Sequence, residues 1–527
     1  MTDNIDRLIT RMQQPDFYPH AVAEIQLIQT HASLIFLTGE YAYKIKKSVD
    51  YGFLDYSTLD KRKHFLNEEL RLNREIALEL YLKVLPISSD NGEFVIESSK
   101  NIVEYALKMR QFSQDNLFSN LLQGGKLSQD YFVALGITVA RFHANAKTDK
   151  YISSFGTVDK VSAAFVENYQ QSQKYIGIVQ TNEQFAKTKA YTDRFFASRK
   201  NVLINRVRQN KIKECHGDLH LKNICLWNDK IKLFDRIEFN ESFRFVDTMY
   251  DVAFTVMDLE ARGKPEFKNA FLNSYLEYSG DWEGAIVLPL YLCRQAYVRA
   301  KVNSFLLDDL QISQTERQKA KKAAANYYRQ AYQYTQSQSG SLILMSGLSG
   351  SGKSTVAQKI ARTKGAIQIR SDAVRKHLAK ISLDRSGTSS IYTPEMTQKT
   401  YDRLLKLGIM LAKEGYTVIL DAKYDRLALR QPAIELARDL NIPLKIVHCT
   451  APISVLRERL NRRQDDISDA TADLIASQQA NAEDFTTAER IYVTTIDTSQ
   501  TNLQQIGNAL ATHKTSVLEQ EKSNNII

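Results

Sequence analysis

Apolar and polar residues alternate with a period of two at 34–38 and 41–46, a pattern that predicts two strands. From 59 to 84 the apolar spacing lengthens to three and four, predicting a long helix. Extended runs at 94–96 and 102–109 follow, and the pattern then turns mostly helical, interrupted by short strand-like runs at 224–227 and 231–234. Strands first and helices later describe an α+β domain of two lobes. At 327–341 (YYRQAYQYTQSQSGS) the periodicity dissolves into Gln, Ser and Gly, which places a domain boundary near 338. Beyond it strand and helix alternate, through 342–345, 356–363, 366–369, 397–414 and 417–420, the rhythm of an α/β parallel sheet wrapped by helices. The expected organisation is therefore one domain over 1–337, a second over 338–518 and a flexible tail at 519–527.

Composition supports this division. A chain of 527 residues is too long for one hydrophobic core, and 43% hydrophobic with 25% charged residues is an ordinary globular balance. The Met-Thr-Asp-Asn-Ile-Asp start lacks the basic head and apolar stretch of a signal peptide. The best apolar window, 285–293, is short and ends at Arg294, so a cytoplasmic protein without a membrane span is expected. Four cysteines show no CxxC spacing. Cys215 beside His216 reads as a small buried thiol in preference to half a metal site. The net charge of +10 is shared between the two parts, with no basic arm of the kind that grips nucleic acid. Two sites for polyanionic nucleotides would account for it.

The sharpest chemistry lies in the second part. Gly347-Leu-Ser-Gly350-Ser351-Gly352-Lys353-Ser354 matches the spacing G-x-x-x-x-G-K-[ST] in full, after an apolar strand and before a helical run that opens with Thr355. Glycines let backbone N–H groups curl around phosphates, Lys353 supplies a point charge to the β- and γ-phosphates, and the Ser354 hydroxyl suits Mg2+. A second strand ends in Asp421, where a carboxylate would lie beside that metal. Over roughly 340–500 the sequence resembles small P-loop kinases of the gluconate kinase and zeta toxin group. The resemblance rests further on Arg370-Ser-Asp372-Ala-Val-Arg375 and on Arg457-Glu-Arg459-Leu-Asn-Arg462-Arg463. It implies that Asp372 takes up or orients the acceptor proton, that Arg375 holds the substrate, and that Arg459 and Arg463 belong to a lid over ATP. A helix cap after Ser371 and a solvated arginine face are the plain alternatives. Lys423, in Asp421-Ala-Lys423, departs from relatives that more often place a small hydroxyl residue there.

In the first part, His216-Gly-Asp218-Leu-His-Leu-Lys-Asn223 has the spacing H-G-D-x-x-x-x-N, and Phe234-Asp235 follows at the end of a strand-like run. Phosphoryl transfer needs a carboxylate near the attacking hydroxyl and oxygen ligands for Mg2+; Asp218 supplies the first, Asn223 and Asp235 the second. Residues 20–335 thus resemble the aminoglycoside phosphotransferase family of kinase-fold enzymes. The resemblance implies bracing roles for Asp247 and Asp251, and a lobe-connecting hinge at 103–109 whose backbone bonds adenine. Arg236-Ile follows Asp235 where protein kinases have Phe-Gly, and no Ala-Pro-Glu appears, which favours a small-molecule kinase. Lys44 is the expected phosphate-anchoring lysine, with Lys46 in reserve. Its partner is expected to be Glu69, which shares a helical face with Phe65, Leu72 and Ile76, whereas Glu68 shares its face with Glu75 and Glu79.

These readings predict a bifunctional kinase using ATP and Mg2+, with each module phosphorylating hydroxyls of small molecules. The alternatives are a nucleotide or nucleic-acid end kinase in the second part with the first part as its partner or regulator, to which the Lys- and Arg-bearing helix at 315–329 would contribute, and a regulatory ATP-binding protein whose first part has lost turnover.

Overall fold

The structure is a computed structural model that describes residues 2–90, 92–309, 312–387, 389–462 and 467–500. Arg463 and the tail expected at 519–527 lie outside the described residues. The chain forms two compact units, one of residues 1–128, 142–258 and 290–328, the other of 129–141, 259–289 and 329 onward. The boundary expected near 338 falls inside the second unit.

In the first unit, β1 (Gln26–Gln29), β2 (Ser33–Leu37), β3 (Tyr41–Lys46), β4 (Tyr81–Asp90), β5 (Glu93–Ile96) and β6 (Ile102–Arg110) form an antiparallel sheet ordered β1-β2-β3-β6-β4-β5. Alternation along β3 sends Tyr43 and Ile45 into a core with Leu8 and Met12 of the N-terminal helix. Lys44 and Lys46 fall on the opposite face, over which the helix Leu59–Ala77 packs. That helix is shorter than its periodicity predicts, because Tyr81 to Asp90 is strand. Val84 is β-branched and Pro86 drives Leu85 to extended backbone, so the apolar residues after Ala77 pair with β6 and do not continue the helix. Residues 103–109, expected as the hinge, lie inside β6, paired with β4 from Glu104 to Met109 and with β3 from Leu107 onward. The chain leaves the sheet only after Arg110.

The rest of this unit is helical around two small ribbons, β7 (Ile212–Glu214) with β10 (Phe245–Asp247), and the hairpin of β8 (Ile224–Trp227) and β9 (Lys230–Leu233).

The second unit is built on β11 (Ser341–Ser346), β12 (Ile367–Arg370), β13 (Thr417–Asp421), β14 (Leu444–Thr450) and β15 (Val493–Asp497). All are parallel, ordered β12-β13-β11-β14-β15, with the glycine-rich turn leaving central β11. The edge strand β12 is covered by the helix Pro265–Ser279: Asn269 and Asn273 each donate to the Ala366 carbonyl, and the Gln368 N–H donates to Asn273. Among the described residues no helix is long and apolar enough to cross a membrane.

Candidate functional site

The first site is assembled by a hairpin register. Ile224 on β8 faces Leu233 on β9, so the residues just outside, Asn223 and Phe234, meet, and the Phe234 N–H donates to the Asn223 carbonyl at 3.1 Å. Asp235 follows at once with a left-handed φ of 63°, its N–H donating to the Tyr81 hydroxyl at 3.1 Å. His216 ties the loops together again through a 2.9 Å hydrogen bond between Nε2 and the Phe234 carbonyl. The Asn223 amide donates to both the carbonyl and the carboxylate of Asp218, at 3.0 and 3.2 Å, which leaves its side-chain oxygen for a cation.

Lys44 Nζ bridges two carboxylates, Glu69 at 2.7 Å and Asp235 at 3.0 Å. Glu69 is fully buried and also holds Lys46 at 2.8 Å, while Lys46 reaches Glu238. Burial opposes the charge on Lys44, yet Asp235 and Glu69 hold its pKa above the ordinary lysine value. Glu68 lies elsewhere, paired at 2.9 Å with Arg71.

The Asp218 side chain remains 35% exposed and lies 3.3 Å from His220 Nε2. Burial works to raise its pKa, but His220 foremost, with Arg299 and His216, outweighs that and holds the carboxyl below the usual range. Asp251 is fully buried, accepts the N–H groups of His216 and Gly217 at 2.7 and 2.8 Å, and meets His143 at 3.1 Å. Asp247 accepts two bonds from buried Arg206. Asp251 thus braces the loop directly, whereas Asp247 ties Arg206 to the Met249 N–H at the start of the following helix. Cys215 is buried beside His143 and Asp251, with its thiol pushed up by burial.

Three contributors to this site carry no periodic or motif signal. Glu238 and Tyr56 complete the Lys46 network, and Arg236, where protein kinases place Phe, is buried and bonds the Leu72 carbonyl, Glu75 and the Glu214 carbonyl at 2.7–2.8 Å. Arg236 thereby rivets the helix that carries Glu69 to the strand preceding the H-G-D loop. His220 lies inside the H-G-D motif, and only its distance to Asp218 reveals it.

In the second unit the glycine-rich turn forms the expected loop. Gly347 has φ 131°, and a Cβ there would lie 2.3 Å from the Cys449 carbonyl oxygen; at Gly350 it would lie 2.8 Å from that of Leu456. Gly352 also has positive φ and opens the helix Lys353–Lys364, whose first turn carries Ser354 and the exposed Thr355. Lys353 Nζ curls back to the Leu348 carbonyl at 2.7 Å. Its pKa is lowered by burial, which Asp421 opposes.

Asp421, at the end of β13, is buried and accepts from Gln368 at 2.8 Å. Asp372 sits in the first turn of the helix Ser371–Leu378, its pKa raised by burial against the pull of Arg370. Arg375 on the same helix is buried, bonded to the Ile391 carbonyl at 2.9 Å with Tyr392 under its guanidinium. Arg459 reaches the loop directly, donating to the Gly350 carbonyl at 3.4 Å and to Thr498 at 2.8 and 2.9 Å. Two loop partners went unread in the sequence: Gln478, which accepts the Ser349 N–H at 3.0 Å, and Thr498, which donates to the Ser351 carbonyl at 3.0 Å.

The first unit joins an antiparallel sheet to a helical part carrying the braced H-G-D loop, a kinase-like α+β arrangement, and the second sets its P-loop after the central strand of a five-stranded parallel sheet. Residues 342–485 match the family model described as an AAA domain. The chain is similar to an uncharacterized protein of Mycobacterium tuberculosis, 28% identical over 489 residues that span 92% of this chain and 94% of the relative. Among solved structures, it is similar to a sugar kinase from Janibacter sp. HTCC2649, at 22% identity, 33% of this chain, 93% of that chain and a TM-score of 0.27. It is also similar to a choline kinase from Cryptosporidium parvum Iowa II, at 12% identity, 63% of this chain, 95% of that chain and a TM-score of 0.38.

Proposed function

We propose that this protein is a bifunctional ATP-dependent phosphotransferase whose two units each pass the γ-phosphoryl group of ATP to a hydroxyl of a small molecule. The observation that carries the reading is that each unit holds its own phosphate-seeking lysine beside its own carboxylates: Lys44 with Glu69 and Asp235 in one, Lys353 near Asp421 in the other. In each unit the acceptor oxygen bonds to the γ-phosphorus as the bond to the β-bridging oxygen breaks and ADP departs. The hydroxyl proton passes to Asp218 in the first unit and to Asp372 in the second.

The donor sets fit Mg2+, a hard cation that takes oxygen. Asn223 and Asp235 in the first unit, and Ser354 and Asp421 in the second, would hold it, and bound there it neutralises charge developing on the phosphates. His220 keeps Asp218 ionised and ready to accept a proton, and the Lys44–Glu69 pair fixes the lysine that meets the phosphates. ATP and magnesium supply place such an enzyme in the cytoplasm.

Calorimetry of the full-length chain with Mg-ATP tests the reading. The expected stoichiometry is two, falling to one in Lys353→Ala, to one in Asp235→Asn, and to none in the double variant. A single site in the unsubstituted chain overturns it, and a metabolite panel read by ADP release then identifies each acceptor.

A further inference from the structure

A phosphate loop is a run of peptides, and each peptide carries its carbonyl on one side and its N–H on the other. No peptide bond in the described chain is cis, so the two groups of one peptide point in opposite directions. An anion site needs the N–H groups turned inward, and the carbonyls of the same peptides must then be received from behind. The Ser351–Gly352 peptide opens that site. Its Gly352 N–H precedes those of Lys353, Ser354 and Thr355, donors that the first turn of a helix cannot satisfy from within. Gly352, with φ 81°, has no side chain to favour one face of that peptide over the other.

The carbonyl of this peptide is received by Thr498, 147 residues further on, whose hydroxyl donates to the Ser351 oxygen at 3.0 Å. A Cβ at position 352 would lie 3.3 Å from Thr498 Cβ and Oγ1, so the missing side chain is what lets the threonine approach. The hydroxyl is itself aimed. Arg459 Nη1 donates to Oγ1 at 2.8 Å, which leaves the hydroxyl proton for a carbonyl, with Ser351 at 3.0 Å and Thr450 at 3.2 Å within reach. Thr450 already accepts the Thr498 N–H at 2.9 Å, which pins the threonine to the end of β14. Arg459 Nη2 holds the Thr498 carbonyl at 2.9 Å, and Nη1 also reaches the preceding loop carbonyl, that of Gly350, at 3.4 Å.

We infer that Thr498 is a positioning residue for the second unit: it holds the Ser351–Gly352 peptide with its N–H toward the phosphates, and Arg459 acts through it. The inference rests on the proposed nucleotide site of that unit. Turned over, the same peptide would set a carbonyl oxygen against the phosphate oxygens and exchange an attraction for a repulsion. Neither Thr498 nor Arg459 belongs to the G-x-x-x-x-G-K-[ST] spacing; the fold alone brings them to the loop.

The test uses the full-length chain carrying Asp235→Asn, in which Mg-ATP binding reports the second unit. Thr498→Val keeps the shape and removes the hydroxyl, and is expected to raise the Kd for Mg-ATP about tenfold, the effect of one carbonyl losing its donor. Thr498→Ser keeps the hydroxyl and should restore most of that loss. Inorganic tripolyphosphate, which has neither base nor sugar, should weaken by the same factor as ATP, because the change lies in the phosphate cradle. Arg459→Gln should also weaken Mg-ATP, and combined with Thr498→Val it should lose less than the product of the two single effects. Unchanged affinity in Thr498→Val, equal losses in the Val and Ser variants, or a loss confined to ATP with tripolyphosphate unaffected overturns the assignment. Losses that multiply would put Arg459 on the nucleotide itself and overturn its part. Lys353→Ala in the same background separates the two levels. If Mg-ATP binding survives it, the nucleotide site itself is misassigned; if binding disappears while Thr498→Val binds normally, only the positioning role fails.

Discussion

Glu69 and Glu68 are adjacent acids on one helix, and about 100° of rotation separates their fates. Glu69 points into the sheet with both oxygens taken by lysines, and Glu68 meets Arg71 at the half-exposed edge of the helix. Removing one partner of a buried pair leaves an uncompensated charge and costs about 3–5 kcal/mol, whereas a surface pair contributes about 0–1 kcal/mol. Glu69→Gln is therefore expected to lower the melting temperature and to reduce first-unit turnover at least tenfold. Glu68→Gln should be close to neutral in both thermal denaturation and ADP release. Asp218 and Asp235 divide in another way. Asp218→Asn should abolish first-unit transfer while sparing Mg-ATP affinity, because a proton acceptor acts on the hydroxyl. Asp235→Asn should weaken Mg-ATP binding itself, because Asp235 touches Lys44 and, on the proposed reading, would offer oxygen to the metal. Equal losses of affinity in calorimetry would reverse these assignments. The helical face of Glu69 was readable from Phe65, Leu72 and Ile76. Its double engagement with Lys44 and Lys46 was not, since a period of two says only that the lysines share a face.

At the level of elements, the P-loop was legible because its constraint is local. Glycines at fixed offsets accept a backbone that other residues resist, and the flanking strand and helix confirm the context. Gly347→Ala brings a Cβ to 2.3 Å from the Cys449 carbonyl, on a backbone with φ 131°. The turn must open, so second-unit Mg-ATP binding is expected to disappear while the first-unit site remains. Calorimetric stoichiometry falling from two to one is the readout. The helix Leu59–Ala77 and the strand β4 show the opposite case. The apolar spacing continues past the helix end, and only pairing with β6 turns the later residues into strand. The segment expected as the hinge, 103–109, is strand for a related reason: β4 pairs it from Glu104 and β3 joins from Leu107, and ladder partners distant in sequence leave no local mark. Arg236 belongs here too. Its four carbonyl and carboxylate contacts join segments over 160 residues apart, which no spacing rule anticipates.

For the molecule as a whole, the second unit draws on residues 129–141 and 259–289, far upstream of its P-loop. The covering of β12 by Asn269 and Asn273 is joined by His377 bonding the Glu277 carbonyl at 2.8 Å and Tyr416 bonding that of Ala285 at 2.9 Å. A fragment beginning near 338 therefore exposes the edge of β12 and leaves its outward backbone groups to water or to another chain. Such a fragment is expected to aggregate or to melt at least several degrees below a version that retains 259–289, as light scattering and thermal denaturation would register. Equal melting temperatures would show that the covering helix contributes little. The sequence by itself determined the α+β and α/β character of the two parts, the phosphate loop, and the order of Asp218, Asn223 and Asp235. Each of these is written in residues close along the chain, where backbone freedom, hydrogen-bond reach and periodicity act directly. Only the tertiary structure decided which upstream helix seals the parallel sheet, which arginine locks the Glu69 helix, and that Arg459, Gln478 and Thr498 meet on one phosphate loop. Those juxtapositions arise when surfaces distant in sequence are buried together, and the chain's local pattern records that each surface is apolar or charged, not which other surface it will meet.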